Sequence, residues 1–313
     1  MSAKDLILRE LVRQGYSEKH GKRCWNLANR NFLHLTPALS QGFLNLIKFP
    51  PYKKNVYDKE TFLIRENAAR FIKQIGTEEP FNLIDVGCLD GNKAKDFIRA
   101  FKGRGRIRYC PTSPDDYLLK KALLNIRKAH FRNVVEYKPT RAGYDRVGEF
   151  SSLVRSSEFH KNVLFLHGSV LASYEINDYL FNLSKGMFSG DFIIIGNGIR
   201  TGTRLTGLYK YKHKIFSDWF MLMMKELGFS EDELEYDVRF NSLRIEGFYR
   251  VKKGKKISLD GKSINFREGD EILITIFYKY YLRELEKFFK MYFSVVEIVK
   301  DKDNEYMFAL CRK

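Results

Sequence analysis

From residue 81 to residue 199 the chain alternates between short apolar runs and longer stretches with helical spacing. Leu83, Ile84, Asp85 and Val86 form the first run, and residues 107–110, 133–137, 162–166 and 192–196 form the next four. Short runs that are apolar on both sides of the backbone read as strands buried in a parallel sheet. Amphipathic stretches lie between them. In residues 93–101, Ala94, Phe97, Ile98 and Phe101 recur at helical spacing, and residues 115–129 and 175–187 repeat the pattern. This alternation predicts an α/β fold, a parallel sheet with helices on both faces. Pro111, Thr112, Ser113 and Pro114 read as a turn, and the segment up to Phe159 as a helix with irregular flanks. A helix at 280–292 and strands at 294–299 and 305–311 close the chain with a C-terminal antiparallel hairpin.

Two stretches break this rhythm. Residues 1–75 look helical: Leu6, Ile7, Leu11 and Val12 share one face, and Thr36 before Pro37 is a good N-cap. A further helix is expected at 59–75. In residues 200–275, a helix bearing Trp219, Phe220, Met221, Met224 and Leu227 ends at Gly228, and residues 239–250 read as one alternating strand. Residues 257–259 and 264–266 flank Asp260 and Gly261, a hairpin signal. The expected organisation is an α/β domain over 76–199 and 276–313, with an inserted α+β lobe at 200–275. Residues 1–75 supply the helical part of that second lobe.

Composition narrows the class without naming a chemistry. Of the 313 residues, 44% are hydrophobic and 30% charged, which describes a globular chain rather than a disordered one. No apolar run approaches the roughly 20 residues that span a bilayer, and the N-terminus has no apolar signal-peptide core. Cys24, Cys88, Cys110 and Cys311 are scattered without CxxC spacing, so buried thiols in a reducing, cytoplasmic setting are expected, and no metal site. The net charge of +17 has two readings. It suits an anionic partner such as nucleic acid, through the denser runs Arg104, Arg106, Arg108 and 252–256, or it is a surface of solvated lysines.

The candidate chemistry collects where the strands end. Gly87 to Gly91 form a glycine turn between the first strand and its helix, a unit that presents backbone N–H groups to an anion or nucleotide. The segments 111–116 and 167–169 fall at the same edge of the predicted sheet. His167 there reads either as a general base or acceptor contact, or as a structural hydrogen-bonder. Tyr52 and Tyr57 either line a pocket or pack at a turn.

An acidic residue closing the strand (Asp85), with glycine two and six positions later (Gly87, Gly91), is the pattern of S-adenosylmethionine (SAM) methyltransferases; Leu89 stands at the middle glycine. Together with LIDVGCLDGNK, Ser113 and Pro114, VLFLHGSV followed by GDFIIIG, MMKELGFSEDELEY, REGDEIL, YKYYLRELEKFF and MFALCRK, the chain resembles the histidine-specific methyltransferase family of the ergothioneine pathway. The resemblance runs from about residue 81 to the C-terminus. It implies a Rossmann-like SAM domain with a second lobe and SAM as cofactor. It places Gly87 and Lys93 on the cofactor, with Asp85 and Gly91 as the motif's acid and last glycine, and it places Tyr209, with Tyr57 or Tyr52, on the substrate; His167 and Gly168, at the end of the fourth strand, are further cofactor candidates. The family's ribose-binding acid falls on Pro111, with Asp115 or Asp116 as the nearby substitute, and Glu136 and Tyr137 are the nearest analogue of its adenine pair. The asparagine that holds the substrate amino group falls on Ala172, and the Glu-x-Ser pair that reads the imidazole falls on Thr275 and Phe277.

A buried imidazole without its hydrogen-bonding partners is disfavoured. The expected function is therefore SAM-dependent N-methylation of an amine-bearing small molecule other than histidine, with Tyr209 and His167 as the candidate catalytic residues. The alternative is a catalytically degenerate methyltransferase-fold protein that binds, for instance, nucleic acid through its basic surface.

Overall fold

The structure, a computed structural model, describes residues 2–19, 21–202, 208–259 and 262–313. Its first elements are helix α1 (Ala3–Gln14), strands β1 (Tyr16–Lys19) and β2 (Lys22–Asn26), and helices α2 (Pro37–Lys48), α3 (Pro50–Tyr52) and α4 (Asp58–Ile75). The central run is β3 (Phe81–Val86), α5 (Asn92–Arg99), β4 (Ile107–Ser113), α6 (Asp116–Lys128), β5 (Val134–Tyr137), β6 (Thr140–Arg141) and α7 (Val147–Leu153). It continues through β7 (Lys161–Leu166), α8 (Ile176–Lys185), β8 (Phe192–Gly198) and α9 (Lys214–Glu226). Then come β9 (Leu234–Asn241), β10 (Arg244–Val251), β11 (Lys255–Leu259), β12 (Lys262–Phe266), β13 (Glu271–Tyr278), α10 (Leu282–Tyr292), β14 (Ser294–Lys300) and β15 (Tyr306–Arg312). Among the described residues no helix is long and apolar enough to cross a membrane.

The chain divides into two compact units, Met1–Leu46 with Gly202–Tyr278, and Ile47–Thr201 with Lys279–Lys313. In the second unit the sheet order is β14-β15-β8-β7-β3-β4-β5, with β6 beside β4. Within it only β15 runs antiparallel to its neighbours. Leu83, Phe165, Ile194 and Phe308 join Leu63, Ile64, Phe71 and Ile72 of α4 and Phe97 and Ile98 of α5 in one core. Phe97 stacks on Phe165 with ring centroids 5.2 Å apart. The alternate strand positions Ile84, Leu164, Ile193 and Met307 are equally buried, so both faces of the sheet are covered. Residues 47–75, grouped by the sequence reading with the helical lobe, belong to this unit because the apolar face of α4 completes its core.

The first unit is built on a sheet of order β1-β2-β13-β10-β9, antiparallel except where β13 meets β2. The expectation of an all-helical N-terminus fails here, since residues 16–26 form two strands. Residues 239–250 are likewise two strands, not one. β9 and β10 pair around Ser242 and Leu243, with Asn241 opposite Arg244 and Ser242 at φ 54°. β11 and β12 pair as expected, and their Asp260 and Gly261 turn lies outside the described residues. The cap of α2 is as read, with the Leu39 N–H donating to Thr36 Oγ1 at 3.2 Å.

Candidate active site

Strand winding in the second unit reverses between β3 and β7, because the chain moves outward to β4 and β5 before returning to the other side of β3. Ligands of doubly wound sheets bind beyond the carboxyl ends of the strands at such a switch point. Asp85 sits there. Its Oδ2 accepts the Tyr109 hydroxyl of β4 at 2.6 Å, and its Oδ1 lies 2.9 Å from Nε2 of His167, the residue after β7. One buried carboxylate thus ties three adjacent strands. Burial and the Asp85 charge push the Tyr109 hydroxyl well above its usual pKa, so it remains a donor. His167 is a hydrogen-bonder to Asp85 through one nitrogen; its Nδ1, also buried, has no hydrogen-bond partner among the described residues.

The glycine turn is left-handed at three places, Gly87 (φ 66°), Leu89 (φ 50°) and Gly91 (φ 75°). Leu89 therefore takes the conformation that the replaced glycine would take, and its side chain is buried. The turn survives because burial of a leucine offsets a backbone strain of order 1–3 kcal/mol. Gly87 has no such freedom. A Cβ there would lie 2.2 Å from Cε1 of Tyr144. At Gly91 a Cβ would lie 3.0 Å from the backbone of Ala122 in α6, so glycine is what lets the turn approach that helix.

Beyond this turn, Lys93 of α5 is buried and ion-paired with Glu60 of α4, and its Nζ lies 4.9 Å from the centroid of the Tyr57 ring. Gly168 (φ 69°) donates its N–H to Glu60 Oε1 at 2.5 Å. Tyr57 ends a π-helical turn, Lys53–Tyr57, of the kind that often marks a functional position. Burial, with Asp90 and Glu60 nearby, raises its hydroxyl pKa.

Pro111 is a strand residue and not a turn residue, which corrects the expectation. β4 pairs with β5 as far as Tyr109 and resumes with β6 at Thr112, so the proline lies in the gap between the two partners, where no N–H is needed. Asp115, at the end of the same strand, caps α6 by accepting the Tyr117 N–H on Oδ1 at 3.0 Å. Its Oδ2 is buried and has no hydrogen-bond partner among the described residues. Asp115 also faces the glycine turn electrostatically: burial first, then Asp85, Asp90 and Asp115, raise the Cys88 thiol well above its usual pKa. An unpartnered buried carboxylate oxygen fits a ligand that brings hydroxyl donors, such as a ribose diol.

The remaining candidates lie in the first unit. Tyr209 stands on the turn Leu208–Lys212 and is 73% exposed. Thr275 is buried opposite Gly247, and Phe277 is opposite Ile245 and 5.8 Å from Tyr211. Of the basic runs, Arg108 is buried and donates to Asn82 Oδ1 at 2.7 Å, Arg106 pairs with Glu158 at 2.6 Å, and Lys255 pairs with Glu233 at 2.6 Å. Sequence reasoning missed Glu60, Tyr144 and Tyr306. For Glu60 a signal existed, an acidic residue three and four positions before Leu63 and Ile64 on the apolar side of α4.

A family model described as "Histidine-specific methyltransferase, SAM-dependent" matches residues 40–313. No curated protein matches the chain in sequence. Among solved structures, it is similar to a SAM-dependent methyltransferase from Clostridium acetobutylicum ATCC 824, with 13% identity, 87% of this chain and 98% of that chain covered, and a TM-score of 0.47. A SAM-dependent methyltransferase from Anabaena variabilis ATCC 29413 aligns at 12% identity over 88% and 93% of the two chains, TM-score 0.45. A glycopeptide N-methyltransferase solved with S-adenosyl-L-homocysteine aligns at 7% identity over 79% and 86%, TM-score 0.40.

Proposed function

Since the chain belongs to the histidine-specific, SAM-dependent methyltransferase family, its methyl donor is SAM, and we propose that it N-methylates an amine-bearing small molecule other than histidine. The observation that carries this reading is the composition of one face of the first unit's sheet. By register, Thr275 and Phe277 share a face with Ile245, Gly247 and Tyr249, and with Tyr236, Val238 and Phe240 beyond them. The acids of these strands, Glu235, Asp237, Glu246 and Glu271, lie on the opposite face, where Arg239 pairs with Glu246 and Glu271. The positions that read an imidazole in the family thus carry no carboxylate here and stand on an aromatic face. Burying an imidazole against it would leave N–H groups unpaired, at about 1–3 kcal/mol each.

The donor supplies an electrophilic methyl group on a sulfonium. An acceptor amine would take that methyl by in-line displacement, the C–S electron pair passing to sulfur as the C–N bond forms and the ammonium proton leaving to solvent. Positioning supplies most of such a rate. Gly87 and Gly91 shape the turn and Asp85 fixes His167 and Tyr109; Lys93 and Gly168 would hold the methionyl end, and Asp115 Oδ2 would accept the ribose hydroxyls. Tyr57, whose ring lies 4.9 Å from Lys93 Nζ, would orient the acceptor. The test is transfer of labelled methyl from SAM to a panel of primary and secondary amines, with mass spectrometry for each added methyl. Preferred turnover of histidine would refute the reading.

A further inference from the structure

Glu60 is fully buried, and donors from three different places in the second unit converge on its carboxylate. Lys93 at the start of α5 pairs with Oε2; the Gly168 N–H after β7 and the Tyr306 hydroxyl at the start of β15 each donate to Oε1 at 2.5 Å. Burial by itself would raise its pKa, but Lys93, His167 and these hydrogen bonds hold it below the usual carboxylate range. It is ionised at neutral pH.

The consequence is one of charge balance. Asp85, Glu60 and Asp115 place three buried carboxylates around the strand ends, and Lys93, the buried ammonium among them, is already paired. An incoming carboxylate meets a neutral pair and gains little from it. An incoming ammonium meets Glu60 Oε2, which among the described residues accepts from Lys93 alone and keeps a lone pair to offer. The methionyl end of SAM carries one group of each sign. We propose that Glu60 accepts the α-ammonium of the cofactor, so that this subsite recognises the methionyl end by its positive group rather than its carboxylate. The inference rests on the cofactor placement given above and adds to it a residue of α4, outside the glycine turn.

The test uses the wild-type protein and calorimetry with three ligands: S-adenosylhomocysteine, its decarboxylated amine (the 3-aminopropyl thioether of adenosine) and the amine-free 3-carboxypropyl thioether. The amine is expected to bind within about threefold of S-adenosylhomocysteine, and the amine-free acid about tenfold or more weaker, the worth of one charge-assisted hydrogen bond. In Glu60→Gln the amine-bearing ligands weaken about tenfold and the amine-free acid stays within about threefold. A reversed order of the two truncated ligands, or equal losses from both, overturns the inference, as does tighter cofactor binding by Glu60→Gln. The two ligand truncations decide the matter without any variant. Absence of S-adenosylhomocysteine binding would instead overturn the cofactor placement itself.

Discussion

Asp115→Asn separates the two jobs of one side chain. Asp115 Oδ1 caps α6 through the Tyr117 N–H at 3.0 Å, and the buried Oδ2 has no hydrogen-bond partner among the described residues. Asparagine caps a helix about as well as aspartate, so the cap survives. The substitution removes a buried charge but leaves a buried amide group as unpaired as the oxygen it replaces, so the free protein's stability changes by no more than about 1 kcal/mol. If the ribose hydroxyls donate to Oδ2, the same change forfeits hydrogen bonds to a charged group, about 1.5–3 kcal/mol, or roughly 10- to 100-fold in affinity. The expected result is a midpoint of thermal unfolding close to wild type, and S-adenosylhomocysteine binding at least tenfold weaker by calorimetry. Asp115→Ala loses the cap as well and falls below wild type in stability by about 1 kcal/mol. A folded Asp115→Asn protein with wild-type affinity would refute the reasoning.

Gly87→Ala sets a Cβ 2.2 Å from Tyr144 Cε1 at a residue with φ 66°, so stability drops by roughly 2–4 kcal/mol and the pairing Gly87→Ala with Tyr144→Ala recovers part of it; chemical denaturation of the single and double variants measures both. His34, buried and then opposed by Arg30, has its pKa lowered from 6.5 to about 3. The unfolded chain therefore binds a proton that the folded chain refuses between those values, and stability declines as pH falls through that window, by on the order of 4 kcal/mol at its lower end. Urea midpoints at pH 7, 5 and 4 should show a decline that His34→Gln flattens, and equal slopes would contradict it. A methyl at Gly42 would meet Trp219 Cδ1 at 2.6 Å, so Gly42→Ala costs about 1–3 kcal/mol in the same assay.

The α/β rhythm was legible because the strands of the second unit are short runs buried on both faces, with amphipathic stretches between them. Asp85, Gly87 and Gly91 were legible from spacing. β1 and β2 were not, since Tyr16–Lys19 and Lys22–Asn26 are mostly polar and owe their pairing to Trp25, Cys24 and the neighbouring β13. The β9 and β10 hairpin left one overlooked trace. The inward positions pass from even numbers, Val238 and Phe240, to odd ones, Ile245 and Gly247, a switch that requires a turn or a bulge. With no glycine or proline at Ser242 and Leu243, composition gave no warning. Pro111 misled in the other direction, because the gap between β5 and β6 that accommodates it is a property of the sheet and not of the local sequence. Glu60 was hidden for a similar reason: its partners come from α5, the end of β7 and β15, far away along the chain.

The placement of β15 between β8 and β14 also governs how the protein comes into being. When β8 leaves the ribosome its flank has no partner until residue 306 is made, a wait of about 5–20 s at 5–20 residues per second. During that interval Phe192, Ile193, Ile194 and Ile195 present an apolar strand with an open edge, the kind of template that pairs with other chains. β2 waits longer still for β13, its partner across 245 positions from Asn26 to Glu271. Neither sheet is finished by the segment that starts it, so slower synthesis prolongs the exposure.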